Sequence, residues 1–287
     1  MENYERDILI GKIRYTNAWP MYHHFDVDRL TKPSRLVVEV PSVLNQGILD
    51  KTLDVAPVSS FAYGVGSEQL MVLPDLSVSS DGAVKSILLF SRKPIEELGD
   101  VSIALTNTSA TSVNLLKIIM SKKFGANPSY VVCEPRLDVM MAEHDAALLI
   151  GDHAIRASWE DHGFIITDLG EIWRAWTGHS MTFAVWTVHT KFAEQNQDFI
   201  GELVAAFVHS KQQSLAHLDS LVAEACNEIG GTNHYWHSYF TNLCYDFNDK
   251  IQAGLQLYFD YAYELGLLDH KVHIQLWSNN TLTQVKG

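Results

Sequence analysis

The sequence predicts an α/β fold of two lobes, with a C-terminal helical region packed on the first lobe. Three observations carry this. Short apolar stretches at residues 8–13, 36–40, 54–58, 101–105, 130–133 and 146–150 alternate with segments of helical period. Two further apolar strands, residues 83–91 and 183–188, each adjoin a polar break and are expected to carry the chain between lobes. From Asn196 onward the period is helical throughout, with Phe199, Leu203 and Phe207 on one face and Ile251, Leu255, Tyr258, Ala262 and Leu265 on another. Gly230-Gly231 and Gly266 read as helix stops. The expected division is residues 1–91 for the first part of lobe 1, 92–185 for lobe 2, and 186–287 for the return crossing and the helices that complete lobe 1.

In the first lobe, residues 8–13 form a strand, and Arg14-Tyr15-Thr16-Asn17-Ala18-Trp19-Pro20 is the loop at its C-terminal end. Ligands of open α/β sheets bind at that edge. Asn17 there either stabilises its own loop or offers a ligand both a donor and an acceptor. Residues 36–40 are a second strand, and Pro41-Ser42 starts a helix with Leu44, Ile48 and Leu49 on one face. Residues 54–58 are a third strand ending in Ser59-Ser60. Ser42, Ser59 and Ser60 each suit a cap or turn, but hydroxyls repeated at successive strand ends favour a pocket. Ser86 is placed inside the strand at 83–91, where a hydroxyl either bonds neighbouring backbone or meets a ligand.

The second lobe starts with the strand at 101–105, which runs into Thr106-Asn107-Thr108-Ser109-Ala110-Thr111-Ser112 and then into an apolar-periodic helix through Val113, Leu116 and Met120. Hydroxyls ahead of a helix mark its N-terminus, where unpaired N–H groups and the positive dipole end suit a carboxylate or phosphate. Ser109, Thr111 and Ser112 are therefore candidate anion ligands, with simple capping as the alternative. The strand at 146–150 ends in Gly151-Asp152, where Gly151 admits close backbone approach and Asp152 is expected to cap the next helix. The stretch from Asp168 to Gly178 is amphipathic and aromatic, and Trp173, Trp176 and Trp186 read as packing.

A chain of 287 residues, 47% hydrophobic, has enough apolar content for a sizeable core. Its formal charge of −13 and lack of a basic run argue against nucleic-acid or anionic-membrane partners. Cys133, Cys226 and Cys244 are far apart, which suggests a reducing compartment. No stretch suits a signal peptide or a membrane span, so a cytoplasmic location is expected. Cys226, His234, His237 and Cys244 lie in one neighbourhood but lack the paired spacing of zinc sites. No nucleotide fingerprint or Gly-x-Ser-x-Gly elbow is present. The expectation is activity without a metal or organic cofactor.

Two α/β lobes joined by two crossings, with hydroxyl-rich strand ends facing a cleft, resemble the periplasmic-binding-protein type II architecture. The residues go further. Ile13 to Pro20, Pro41-Ser42-Val43-Leu44-Asn45, Asp54 to Ser60, Ser109-Ala110-Thr111-Ser112-Val113, Ile150-Gly151-Asp152 and the segment from Thr177 to Trp186 resemble the chorismate dehydratase family of the futalosine route to menaquinone. Thr16 stands where Leu is usual, and His179-Ser180-Met181 replaces a more apolar turn. A 1,4-dihydroxy-6-naphthoate synthase of the same pathway resembles the Ser and Thr loops but differs in its first loop and carries a His after the strand that here ends in Gly151-Asp152. A non-catalytic small-anion binding protein is the alternative from another class. The resemblance implies that the small-molecule partner is the dicarboxylate chorismate, that Asn17 and Ser86 orient it, and that the lobes close on it.

Overall fold

The computed structural model describes residues 6–279. The chain runs β1 (Ile8–Ile13), β2 (Ser34–Glu39), α1 (Pro41–Leu49), β3 (Val55–Ser59), α2 (Ser60–Gly66) and β4 (Leu70–Ser80) in the first lobe. The second lobe holds β5 (Ile87–Ser91), β6 (Ser102–Thr106), α3 (Ala110–Ile118), β7 (Ser129–Cys133), α4 (Leu137–Glu143), β8 (Ala146–Ile150), α5 (Gly151–Ser158), β9 (Ile165–Asp168) and α6 (Leu169–Thr177). There follow β10 (Met181–His189), α7 (Thr190–Gln195), α8 (Gln197–Ala216), α9 (Leu218–Glu228), α10 (Asn233–Asn242), β11 (Leu243–Cys244) and α11 (Asp249–Glu264).

The two sheets repeat one plan. The first has the order β11-β4-β10-β3-β1-β2 and the second β7-β6-β8-β5-β9. Each contains a parallel trio, β2-β1-β3 or β7-β6-β8, followed by an antiparallel strand placed beside the third member, β10 in one sheet and β5 in the other. Strands buried on both faces explain the continuous apolar runs: every residue of β3, β5 and β8 is buried.

Sheet membership moves the expected lobe boundaries. Residues 87–91 pair in the second sheet and residues 181–189 in the first, so the chain changes sheets within 81–86 and within 178–180 rather than near 91 and 185. Ser86 accordingly precedes β5 instead of lying inside a strand. Asp81 and Ser180 brace the two crossings against each other. The Ser180 hydroxyl donates to Asp81 Oδ1 at 3.4 Å, and Asp81 also pairs with Arg174 and Lys250. Gly254 of α11 lies directly over the second crossing, since a Cβ there would collide with the Ser180 carbonyl oxygen.

β4 has no clear signature in the sequence. Pro74 and Asp75, the latter at φ +58°, interrupt it, and its pairing with β10 shifts register twice. It nonetheless sits next to β10 and supplies most of that strand's second neighbour.

The C-terminal helices pack on the first sheet, α8 against β4 and α11 against β10. They also reach the second lobe. α11 touches α3, and the Tyr258 hydroxyl donates to the Thr111 carbonyl at 3.2 Å. Arg156 of α5 donates to the carbonyls of Glu228 and Ile229. Trp173 and Trp186 are fully buried and Trp176 stacks on Tyr261, as their reading as packing residues requires.

Candidate functional site between the lobes

The C-terminal ends of β1, β3, β6 and β8 deliver their loops to one cleft between the sheets. The loop after β1 is a 3-10 turn, Thr16–Met21, held rigidly from below. Trp19 Nε1 donates to the Arg14 carbonyl, and the Tyr22 hydroxyl donates to the Gly11 carbonyl at 2.9 Å. Tyr22 packs edge-on against Phe207 of α8, while Phe25 stacks on the same ring at 4.3 Å. Aromatic contacts of this kind add about 1 kcal/mol each beyond area burial. Asn17 thus rides on a fixed platform, and its Oδ1 is buried without a hydrogen-bond partner among the described residues.

Ser86, Gly151 and Asp152 are brought together, and Tyr15 and Thr16, which precede Asn17 in its loop, meet Gly151 and Asp152. The Gly151 N–H donates to the Ser86 carbonyl at 2.7 Å, tying the first crossing to the start of α5. Gly151 has φ +57°, and a Cβ at this position would press within 2.9 Å of the Tyr15 ring. The close approach that glycine permits here is that of a tyrosine. The Ser86 hydroxyl makes one long bond, 3.4 Å, to the Val84 carbonyl.

Asp152 does not cap α5. The N-cap is Ile150 and makes no side-chain cap bond. The Asp152 Oδ1 instead accepts from the Thr16 hydroxyl at 2.6 Å and from the Thr16 N–H at 3.3 Å, across the cleft. Thr16 is fully buried and Asp152 is 9% exposed. Burial pushes the Asp152 carboxyl above its ordinary value of 3.8, and the Thr16 hydrogen bonds oppose that rise. Thr16 is therefore a donor that joins the lobes.

Apart from Ser42, the remaining predicted hydroxyls are engaged by the protein. Ser59 caps α2, accepting from the Ala62 N–H and from Asn45 Nδ2 at 3.0 Å. The Ser60 hydroxyl donates to the Thr182 carbonyl at 2.7 Å. Thr111 Oγ1 accepts from the Phe61 N–H at 2.8 Å, another bond between lobes. Ser109 is the N-cap of α3, accepting from the Ser112 N–H at 3.3 Å and donating to the Ser112 hydroxyl at 3.1 Å. Ser42 lies half-buried in the first turn of α1.

Two features of the site lie outside the residues expected to form it. Asp168 Oδ1 accepts from the N–H groups of Val84, Gly170 and Glu171, and Oδ2 accepts from that of Lys85 at 2.7 Å, so this one carboxylate both caps α6 and moors the segment that carries Ser86. The Asp168-Leu169-Gly170-Glu171 spacing, an acidic cap followed three residues later by Glu, is the signal that marks it. The second feature is the set of buried phenols, Tyr15, Tyr235, Tyr239 and Tyr245, whose hydroxyls have no partner among the described residues.

A hollow of about 570 Å³ lined by Arg6, Asp54, His189 and Phe192 lies at the opposite edge of the first sheet, where the parallel strands begin. The chemistry-bearing loops are absent there, so the cleft is the candidate site. Among the described residues no group of three or more His, Cys, Asp or Glu is placed to hold a metal ion, and no helix is long and apolar enough to cross a membrane.

Comparison with known proteins bears on the family and the fold. A family model described as menaquinone biosynthesis matches residues 8–264. The chorismate dehydratase of Thermus thermophilus is 30% identical over 277 residues, covering 91% of this chain and 96% of that protein. Among solved structures, a protein of Archaeoglobus fulgidus superposes with a TM-score of 0.76 at 17% identity, over 92% of this chain and 99% of that one. The periplasmic aliphatic sulphonate binding protein of Escherichia coli superposes with a TM-score of 0.70 at 17% identity, over 96% and 92%. These likenesses show the two-lobed periplasmic-binding-protein fold.

Proposed function

We infer the reaction from one premise: the chain belongs to the menaquinone-biosynthesis family. On that premise it is a hydro-lyase that removes water from chorismate to give 3-[(1-carboxyvinyl)oxy]benzoate. The C3–H and C4–O bonds break, a C3–C4 double bond forms, and the ring becomes aromatic. The observation that best supports a site for this in the cleft is Asn17, whose buried Oδ1 faces no protein donor. A native protein seldom leaves such an atom unpaired without a functional reason.

Asn17 and Ser86 orient the substrate, and neither side chain titrates near neutral pH. The base is the substrate's own enolpyruvyl carboxylate, which takes the C3 proton and passes it to the departing hydroxide. The protein's contribution is placement, which is worth several kcal/mol when the reacting atoms are held in line. The N–H groups at the α3 N-terminus, in a turn shaped by the paired hydroxyls of Ser109, Thr111 and Ser112, hold the ring carboxylate. One observation favours a second reading: Asp152, raised by burial, is a carboxylate tuned toward general-base duty. Its Oδ1 is already occupied by two Thr16 donors, which favours a clasp between lobes over a base.

Entry of the substrate requires the Thr16–Asp152 and Thr111–Phe61 bonds to open about the crossings at 81–86 and 178–180. A cytoplasmic location and a small dicarboxylate partner go with this activity. Incubation with chorismate and mass detection tests it, and the expected product is lighter by one water. Folded protein that binds chorismate and leaves it unchanged favours a binding protein instead.

A further inference from the structure

Helix α10 is fixed between the two parts of the chain that frame the cleft. Near its C-terminal end, Ser238 accepts from Lys85 Nζ at 2.7 Å and Asn242 donates to the Ala83 carbonyl, so it lies along the crossing that carries Ser86. At its N-terminal end, the ring of Trp159, the C-cap of α5, meets Tyr235 edge-on at 5.1 Å and Trp236 at 6.1 Å. α5 is the helix that begins at Gly151-Asp152. One face of α10 therefore looks toward Ser86 and Asp152.

Tyr235 and Tyr239 are one turn apart on that face. Their rings are stacked, 6.1 Å between centroids and 9° between planes. Both hydroxyls are buried without a hydrogen-bond partner among the described residues, and the Tyr239 side chain is fully buried. The Ser86 hydroxyl is the group nearest to pairing with Tyr239, beyond ordinary hydrogen-bond length, and the charge of Asp152 acts on both phenols. Two buried donors of this kind cost stability in a protein that has no use for them. Burial raises the pKa of both phenols, so they stay protonated and act as donors at any working pH. Neutral O–H donors in a dry site suit a carboxylate oxygen, which they bind by short charge-assisted bonds.

We propose that Tyr239, with Tyr235 beside it, donates phenolic hydrogen bonds to a carboxylate of the bound substrate, making α10 a third wall of the site. This rests on the chorismate reading above and adds to it a substrate-holding pair drawn from the C-terminal helices. The phenols meet the substrate in its ground state as well as at the transition state, so their loss acts on KM more than on kcat.

The test uses Tyr239→Phe, Tyr235→Phe and the double variant in the full chain, with three readouts. These are the melting temperature without ligand, KM and kcat for chorismate, and the Kd of 3-[(1-carboxyvinyl)oxy]benzoate by calorimetry. Phe keeps the stacked rings and deletes only the hydroxyl. Tyr239→Phe is expected to raise KM and Kd by roughly 10- to 100-fold, with a smaller change in kcat and a melting temperature equal to or above that of the wild type. A lowered melting temperature with unchanged KM and Kd assigns the hydroxyl to the fold and overturns the proposal. Variants that match an active wild type in every readout overturn it too. A wild type that neither binds the product nor converts chorismate overturns the reaction reading and this proposal together.

Discussion

The N-terminus of α3 and the face of α10 both line the cleft with hydroxyls, and they use them in opposite ways. Around α3, Ser109 and Ser112 bond each other, Thr106 bonds Thr108, and Thr111 accepts from the Phe61 N–H. Along α10 and the loop after β1, Tyr235, Tyr239 and Asn17 each bury a polar atom that meets no partner among the described residues. A paired hydroxyl has already contributed its hydrogen bond to the fold, whereas an unpaired buried one holds that contribution in reserve for a ligand. The comparison separates groups that hold the site in shape from groups that handle the substrate.

Asn17→Ala deletes a group of the second kind and Ser86→Ala a hydroxyl held by one long bond, and the two carry the largest expected effect. Each should cut kcat/KM for chorismate by on the order of 10²-fold while leaving the melting temperature nearly unchanged. Steady-state kinetics beside a thermal melt checks this, and a variant that loses stability but keeps its turnover would erase the distinction between the two regions.

Asp168→Ala should come next and move both readouts. It leaves four backbone N–H groups without their acceptor and frees the segment bearing Ser86, so stability should fall by about 2 kcal/mol and turnover by roughly tenfold. Denaturant unfolding and kinetics on the same preparation measure the two losses. Full turnover by this variant would show that Ser86 needs no mooring.

Much of this arrangement is legible in the sequence, and the exceptions have physical causes. The parallel trio of each sheet announces itself through short apolar runs, because strands buried on both faces need apolar residues throughout. β4 is obscured by Pro74 and Asp75, which a strand tolerates only where its pairing is irregular. Asp152 fits the local pattern of a cap, but its partner Thr16 lies 136 residues away and no local rule can supply it. Tyr235 and Tyr239 sit among Trp236 and Phe240 and read as packing. Their rings do pack, and the groups nearest their hydroxyls, Ser86 of the first crossing and Asp152 of the second lobe, are distant in sequence.

Ser109→Ala sharpens the comparison from the paired side. It removes the α3 cap and should cost about 1 kcal/mol of stability, with kcat for chorismate changed by less than about threefold. Chemical denaturation and kinetics decide it, and a large loss of kcat with intact stability would move Ser109 into the unpaired class.

Asp152→Asn has the smallest expected effect on turnover and an informative pH dependence. Burial holds the folded-state carboxyl above its ordinary value, so ionisation is harder in the folded chain than in the unfolded one. The native state keeps its full stability below the ordinary carboxylate range and loses some as pH rises through the raised value. Asn stays neutral and still accepts from Thr16. The variant should therefore melt higher than the wild type at about pH 7 and converge with it below about pH 4. A variant that melts lower at neutral pH would mean the charge itself joins the lobes.

The most direct measurement of whether paired groups shape the site and unpaired groups serve the substrate is the chorismate turnover of Asp152→Asn set against Asn17→Ala. A structural clasp predicts that Asp152→Asn stays within about twofold of the wild type, far above Asn17→Ala. A fall of on the order of 10² to 10⁴ in kcat for Asp152→Asn, with the fold intact, would make Asp152 the base and contradict substrate-assisted elimination.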